Sequence, residues 1–122
     1  MTTTMRTAGS LKRGDVALVV FPHSDLRSAS LRPALVVQAD SLQTGIPQVV
    51  VAMITSRMFR AGHRSRVVIH RSSPVGQQSG LLTDSVVMTD NLATVFETGV
   101  DRVVGSIPMH DVDVALRLTL GL

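Results

Sequence analysis

The residues of this chain best suited to chemistry are an Arg-Pro step, Arg32-Pro33, and a triplet, Thr55-Ser56-Arg57. The first opens the apolar run LRPALVV and the second closes the apolar run VVVAMITS. A guanidinium is a permanent cation with a rigid fork of donors that matches a phosphate, and a hydroxyl can hold a phosphate oxygen or a second hydroxyl. In a small curled sheet such strand ends face one side, where cation and hydroxyl could converge on one phosphate. Pro33 fixes its own φ and donates no backbone hydrogen bond, so it stiffens the point at which Arg32 leaves the preceding loop. That loop carries His23, a candidate proton shuttle near neutral pH, and Asp25. Local alternatives exist for both key groups. Arg32 could pair with Asp25, and the Thr55 hydroxyl could cap the following turn.

The charge pattern indicates what such a site would face. Residues 41–83 contain no Asp or Glu, yet carry Arg57, Arg60, Arg64, Arg66 and Arg71 with His63 and His70. Beyond them Asp84, Asp90, Glu97, Asp101, Asp111 and Asp113 face Arg102 and Arg117, so the chain is polarised although its net charge is only +3. Of the 12 basic residues, all but Lys12 are arginine. Guanidinium groups grip phosphate bidentately and stack on bases, which makes nucleic acid the natural partner. A general replacement of lysine by arginine would explain the arginine preference but not the missing acids.

Other classes are disfavoured. The absence of cysteine excludes disulfides, thiol nucleophiles and thiolate metal sites, and the 4 scattered histidines make no zinc pattern, so neither metal nor cofactor is expected. No apolar run approaches the roughly 20 residues of a membrane span, and a cytoplasmic location is expected.

A length of 122 residues suits one domain, here expected over 11–122 after a flexible segment at 1–10. Val/Ile-rich runs bounded by Gly, Pro, Ser or Asp predict strands near 15–21, 33–39, 48–56, 66–70, 84–89 and 102–106. The first and third are almost continuously apolar, as in strands buried on both faces, which suggests a closed barrel and a dimer. From Pro108 the period changes. Met109, Val112, Leu116 and Leu120, with Ala115 beside them, recur at helical spacing, acids lie early and Gly121 suits the exit, so 108–120 reads as a helix. The Ser-Ser-Pro and Gly-Gln-Gln-Ser-Gly stretch at 72–80 reads as a mobile loop.

RNA would suit this residue set because it supplies its own nucleophile, the 2′-hydroxyl beside each phosphate. A protein then needs to orient it, move protons and stabilise the crowded phosphorane.

From Lys12 to Leu122 the order of segments resembles the MazF/PemK (Kid) toxins: KRGDV, the FPHSD loop, LRPALVV, VVVAMITS, GLLTDSVV and a terminal ALRLTLGL helix. The resemblance implies an SH3-like small β-barrel, mainly β with a C-terminal helix, that dimerises. It implies a toxin of a type II toxin-antitoxin system that cuts single-stranded RNA without metal, with Arg32 and Thr55 as catalytic residues and an acidic, MazE-like antitoxin as partner. His23, Asp25 and Asp90 are secondary catalytic candidates. Ser56, Arg57, Arg60, Arg64, Arg66, Asp84 and Ser85 are candidate RNA contacts, the last two matching the family's Asp-Ser before a strand. The chain departs from some members in having Met88 and Ala93 where they have arginines. Two alternatives share the fold: a gyrase-poisoning toxin similar to CcdB, and a non-catalytic SH3-like nucleic-acid-binding module.

Overall fold

The computed structural model describes residues 11–22 and 25–122. The N-terminal segment 1–10 and His23 lie outside the described residues. Six antiparallel strands form one sheet in the order β4-β5-β3-β2-β1-β6: β1 Asp15–Pro22, β2 Ala29–Val36, β3 Gln48–Thr55, β4 Arg66–Ile69, β5 Ser85–Phe96 and β6 Val100–Ser106. Helix α1, Pro74–Ser79, packs on β6, and α2, His110–Leu120, packs on β4 and β5. The sheet is mainly β with a C-terminal helix, as the sequence indicates, but its ladder does not close. β4 is four residues long and pairs with β5, β6 pairs with β1, and helices rather than a further ladder lie beside these edges.

The near-continuous apolar runs are buried on both faces. Along β3, Ala52 and Ile54 belong to one core cluster with Val16, Leu35, Val87, Val112 and Leu116 beneath α2; Val49, Val51 and Met53 join Ala17, Val19, Ala34 and Val86 in a second on the opposite face. Alternation along a strand sends neighbours to opposite sides, so a strand with two buried faces must be apolar at every position.

Three elements differ most from the expectation. β2 starts at Ala29, so Arg32 and Pro33 lie inside a strand, opposite Val19 and Leu18. The chain turns back early because the Asp25 carboxylate accepts from the Arg27 and Ser28 amides at 2.9 and 3.2 Å, with Leu26 at a φ of 59°. β5 runs on to Phe96, and its register against β3 jumps from Met53↔Met88 to Ala52↔Leu92. The resulting bulge at 89–91 re-aims the strand, letting its first half pair with β4 and its second half continue along β3. The expected loop at 72–80 contains α1, whose N-terminus is capped by Ser73 Oγ accepting from the Gly76 amide at 3.0 Å and whose exit is Gly80 at a φ of 73°.

Helix α2 starts after Pro108 and buries Val112, Ala115 and Leu116. Met109 is half-buried before it, and Leu120 is exposed, so the covered stripe is shorter than the periodicity suggests. Among the described residues no helix is long and apolar enough to cross a membrane.

Candidate active site

The β2–β3 ladder pairs Ala34 with Met53 and Leu35 with Ala52, so Arg32 and Thr55 each lie two residues beyond its last pair, toward the same end of the two strands. Residues that face one another across antiparallel strands are neighbours on the sheet, so pairing brings together two groups that are far apart in sequence. Both line a cleft of about 570 Å³, together with Ser56, Arg57, Ser85 and Arg102. Leu18, Pro33, Ile54, Leu81 and Val104 give it an apolar lining.

Arg32 is exposed, and among the described residues its guanidinium has no hydrogen bond or ion pair. The pairing with Asp25 open to it from sequence does not form. Asp25 instead closes its own turn, and the Arg27 and Ser28 amides hold its carboxyl below the usual aspartate value. The Thr55 hydroxyl does cap its turn, accepting from the Arg57 amide at 3.1 Å. That bond uses an oxygen lone pair and fixes the hydroxyl, whose proton is still available to an acceptor in the cleft. Capping and ligand binding are therefore compatible here. Ser85 is buried and donates to the Thr83 carbonyl at 2.9 Å, which holds the cleft wall.

The structure does not bring the remaining described candidates to this cleft, and His23 lies outside the described residues. Asp84 accepts from the Arg71 amide at 2.8 Å, joining the end of β4 to the start of β5. Asp90 forms a two-point pair with Arg66 across β4 and β5, at 2.8 and 3.3 Å, and this hydrogen bond holds the Asp90 carboxyl below its ordinary value. Arg66 also donates to the Arg60 carbonyl at 3.0 Å. The Arg60 guanidinium lies 5.8 Å from the centroid of Phe59, and Arg64 is exposed. Met88 is 5% exposed within the second core cluster, so the position carries packing rather than charge.

Sequence reasoning overlooked Arg102 as a cleft residue, counting it as one of two bases among later acids. Its place follows from β1, where Leu18 pairs with Pro33 on one side and with Arg102 on the other. Nothing in the local spacing of β6 carries that signal. The segment 80–83, another part of the cleft lining, is set by α1. There the backbone comes so close to β6 that a Cβ on Gly105 would meet Gln78 and Ser79 backbone atoms at 2.4 Å.

A separate hollow of about 440 Å³ between the 38–49 segment and Glu97 has Asp40 and Glu97 as its charged residues, which disfavours phosphate there. Among the described residues no group of three or more His, Cys, Asp or Glu side chains could hold a metal ion.

A family model described as PemK-like, MazF-like toxin of type II toxin-antitoxin system matches residues 12–119. Among solved structures, an endoribonuclease in complex with its cognate antitoxin from a mycobacterial species matches with a TM-score of 0.68 at 24% identity, over 93% of this chain and 97% of that one. The Mycobacterium tuberculosis toxin MazF-mt6 matches with a TM-score of 0.67 at 21% identity, over 88% of this chain and 97% of that one. A MazE-MazF structure from Deinococcus radiodurans gives a TM-score of 0.69 at 17% identity, over 92% and 96% of the respective chains. At these identities the likeness is one of fold.

Proposed function

The chain belongs to the PemK-like, MazF-like toxins of type II toxin-antitoxin systems, and on that premise we propose that it is an endoribonuclease that cleaves single-stranded RNA at Arg32 and Thr55 without a metal. The observation that carries this reading is the Arg32 guanidinium, without a partner among the described residues, lining one cleft with Thr55, Arg57 and Arg102. Similar folds described as endoribonucleases support it.

In this mechanism the 2′-oxygen attacks the adjacent phosphorus, its proton leaves, the bond from phosphorus to the 5′-oxygen breaks, and that oxygen gains a proton. The products are a 2′,3′-cyclic phosphate and a free 5′-hydroxyl. Arg32 faces the non-bridging oxygens as charge builds on them; one such donor is worth roughly 3 to 4 kcal/mol in a transition state. An arginine holds its proton far above neutral pH and is a poor proton donor, so charge stabilisation is its first role. Thr55, its lone pair engaged by the Arg57 amide, donates a hydrogen bond to a phosphate oxygen and keeps its proton. Duplex RNA is a poor substrate because the A-form helix hides base edges and resists in-line geometry.

A symmetric homodimer is the proposed active form, and an acidic MazE-like antitoxin the proposed inhibitor. Antitoxin complexes among the similar folds support the second. An acidic, flexible tail would compete with RNA for the same arginines.

The test is incubation of purified protein with single-stranded RNA in EDTA, with end-group analysis of the products. Cleavage leaving cyclic phosphate is expected. An intact strand, the outcome for a gyrase poison or a passive binder, or an absolute need for added magnesium, would overturn the proposal.

A further inference from the structure

The chain has no Trp or Tyr and 3 Phe, so flat apolar rings are scarce in it. Phe21 packs against the second core cluster, whereas Phe59 stands 78% exposed, four positions after Thr55. Strand alternation puts Thr55 on the face of Val49, Val51 and Met53 and puts Arg32 on that of Ala34 and Val36, and all of these core residues belong to that second cluster. Met58 and Ala61, on either side of Phe59 and Arg60, pack against the same cluster. The single turn Met58–Arg60 therefore folds over the face that carries Arg32 and Thr55, with Phe59 turned outward. The turn is fixed before any ligand arrives. The Arg60 and Ala61 amides donate to the Arg57 and Met58 carbonyls, each at 3.0 Å, and Arg66 donates to the Arg60 carbonyl at 3.0 Å. The Arg60 guanidinium donates to the Met88 sulfur at 3.9 Å and lies 5.8 Å from the centroid of the Phe59 ring, so it is committed to holding that ring. Met88 pairs with Met53, two residues before Thr55, which keeps the arrangement beside the Thr55 end of β3.

We propose that Phe59 is a stacking platform for a nucleobase of the single-stranded RNA held at Arg32 and Thr55. This rests on the endoribonuclease reading, to which it adds a contact with a base beside the contacts with phosphate. Phe59 is a binding residue and takes no part in bond breaking. An exposed ring in a stretch that carries Arg57 and Arg64 and no acid combines the two features that hold a single strand, a cationic surface for the backbone and an aromatic face for a base. Every base has a flat face, so the contact adds affinity without choosing a sequence. It does favour unpaired strands, because the bases of a duplex are already stacked on one another.

The experiment measures binding of a mixed-sequence pool of single-stranded hexanucleotides carrying 2′-O-methyl groups throughout, which have no nucleophile and cannot be cut, and of an abasic hexamer with the same phosphates. Affinity is read across a salt series for wild type, Phe59→Ala, Phe59→Leu, Phe59→Tyr and Phe96→Ala. Phe96 is the control, a ring 62% exposed that pairs with Gln48 at the other end of β3. Phe59→Ala is expected to weaken binding of the base-bearing pool about tenfold, as when one stacked base loses its partner. Its salt slope should not change, because stacking releases no counterions. Phe59→Leu, apolar but not flat, should lose nearly as much, while Phe59→Tyr and Phe96→Ala bind as wild type does. The abasic hexamer should bind wild type and Phe59→Ala alike, since it offers nothing to stack. Wild-type affinity in Phe59→Ala or Phe59→Leu, an equal loss for the abasic hexamer, a changed salt slope, or absence of binding by wild type would each overturn the proposal. Cleavage of unmodified RNA by wild type is scored separately, so loss of the endoribonuclease reading is distinguishable from loss of the Phe59 contact.

Discussion

Two groups of arginines lie at the ends of the central strands, and they are held in opposite ways. In the cleft, Arg32 has no partner among the described residues and Arg57 engages the structure through its backbone amide. On the β4–β5 side, Arg66 is clasped by Asp90 and donates to the Arg60 carbonyl, and Arg60 lies over Phe59. The sequence shows one acid-free basic block from 57 to 71; the fold divides it. Charge density along a chain does not reveal which cations are available, because an acid such as Asp90, 24 positions from Arg66, can be brought beside it by strand pairing. The Asp90 pairing fastens Arg66 across β4 and β5, whereas Arg32 lines the cleft with its guanidinium unpaired among the described residues.

The largest effect that would break this distinction is at Arg32. Arg32→Ala should lower RNA cleavage by about 100-fold or more, as expected when a donor to developing charge is removed, with an unchanged circular dichroism spectrum. Near wild-type cleavage by the folded variant would remove Arg32 from the chemistry. Thr55→Ala should cost less, about tenfold in kcat, because water can partly replace a hydroxyl. Since the variant also loses a turn cap, the comparison with Thr55→Ser separates the roles: serine should restore both cap and activity, and a Ser variant as slow as Ala would argue against the hydroxyl.

A smaller effect sharpens the contrast between the two groups. Arg57→Ala should weaken binding of uncleavable single-stranded RNA and reduce its salt slope by about 0.7, whereas Arg66→Ala should leave the slope nearly unchanged and instead lower the melting temperature. Equal slopes for the two variants would show that the pairing with Asp90 does not withhold Arg66 from RNA. The smallest effect is the pH response of that pair. The Asp90 carboxyl lies below its ordinary value of 3.8 chiefly through the Arg66 hydrogen bond. Its stabilisation is present above that ordinary value and disappears as pH falls through the lowered one. Asp90→Asn should therefore melt slightly below wild type at pH 7, and the gap should close in acid well below pH 3.8. A gap that persisted there would assign the loss to something other than the ion pair.

Much of the fold was legible because its signals are local. Unbroken apolar runs such as QVVVAMIT mark strands buried on both faces, and Val112, Ala115 and Leu116 mark α2 by period. Helix α1 was also legible but was read as a loop. Ser73, Pro74 and Gly80 are an N-cap, a first-turn proline and a left-handed exit, yet Gly and Ser in the intervening residues obscured them. The bounds of β2 and β5 were not legible, because one depends on the Asp25 turn and the other on a bulge formed against β3.

The sequence by itself determined the strands and the C-terminal helix, the polarised charge and the two short motifs, Arg32-Pro33 and Thr55-Ser56, since each is set by residue type and near-neighbour spacing. Tertiary structure alone decided that Arg32 and Thr55 line one cleft, that Arg66 is bound to Asp90, and that Arg102 joins the cleft through Leu18. The reason is the same in each case. Strand register couples positions as distant in sequence as Leu18 and Arg102, and register follows from how both faces of the sheet pack, not from any spacing along the chain.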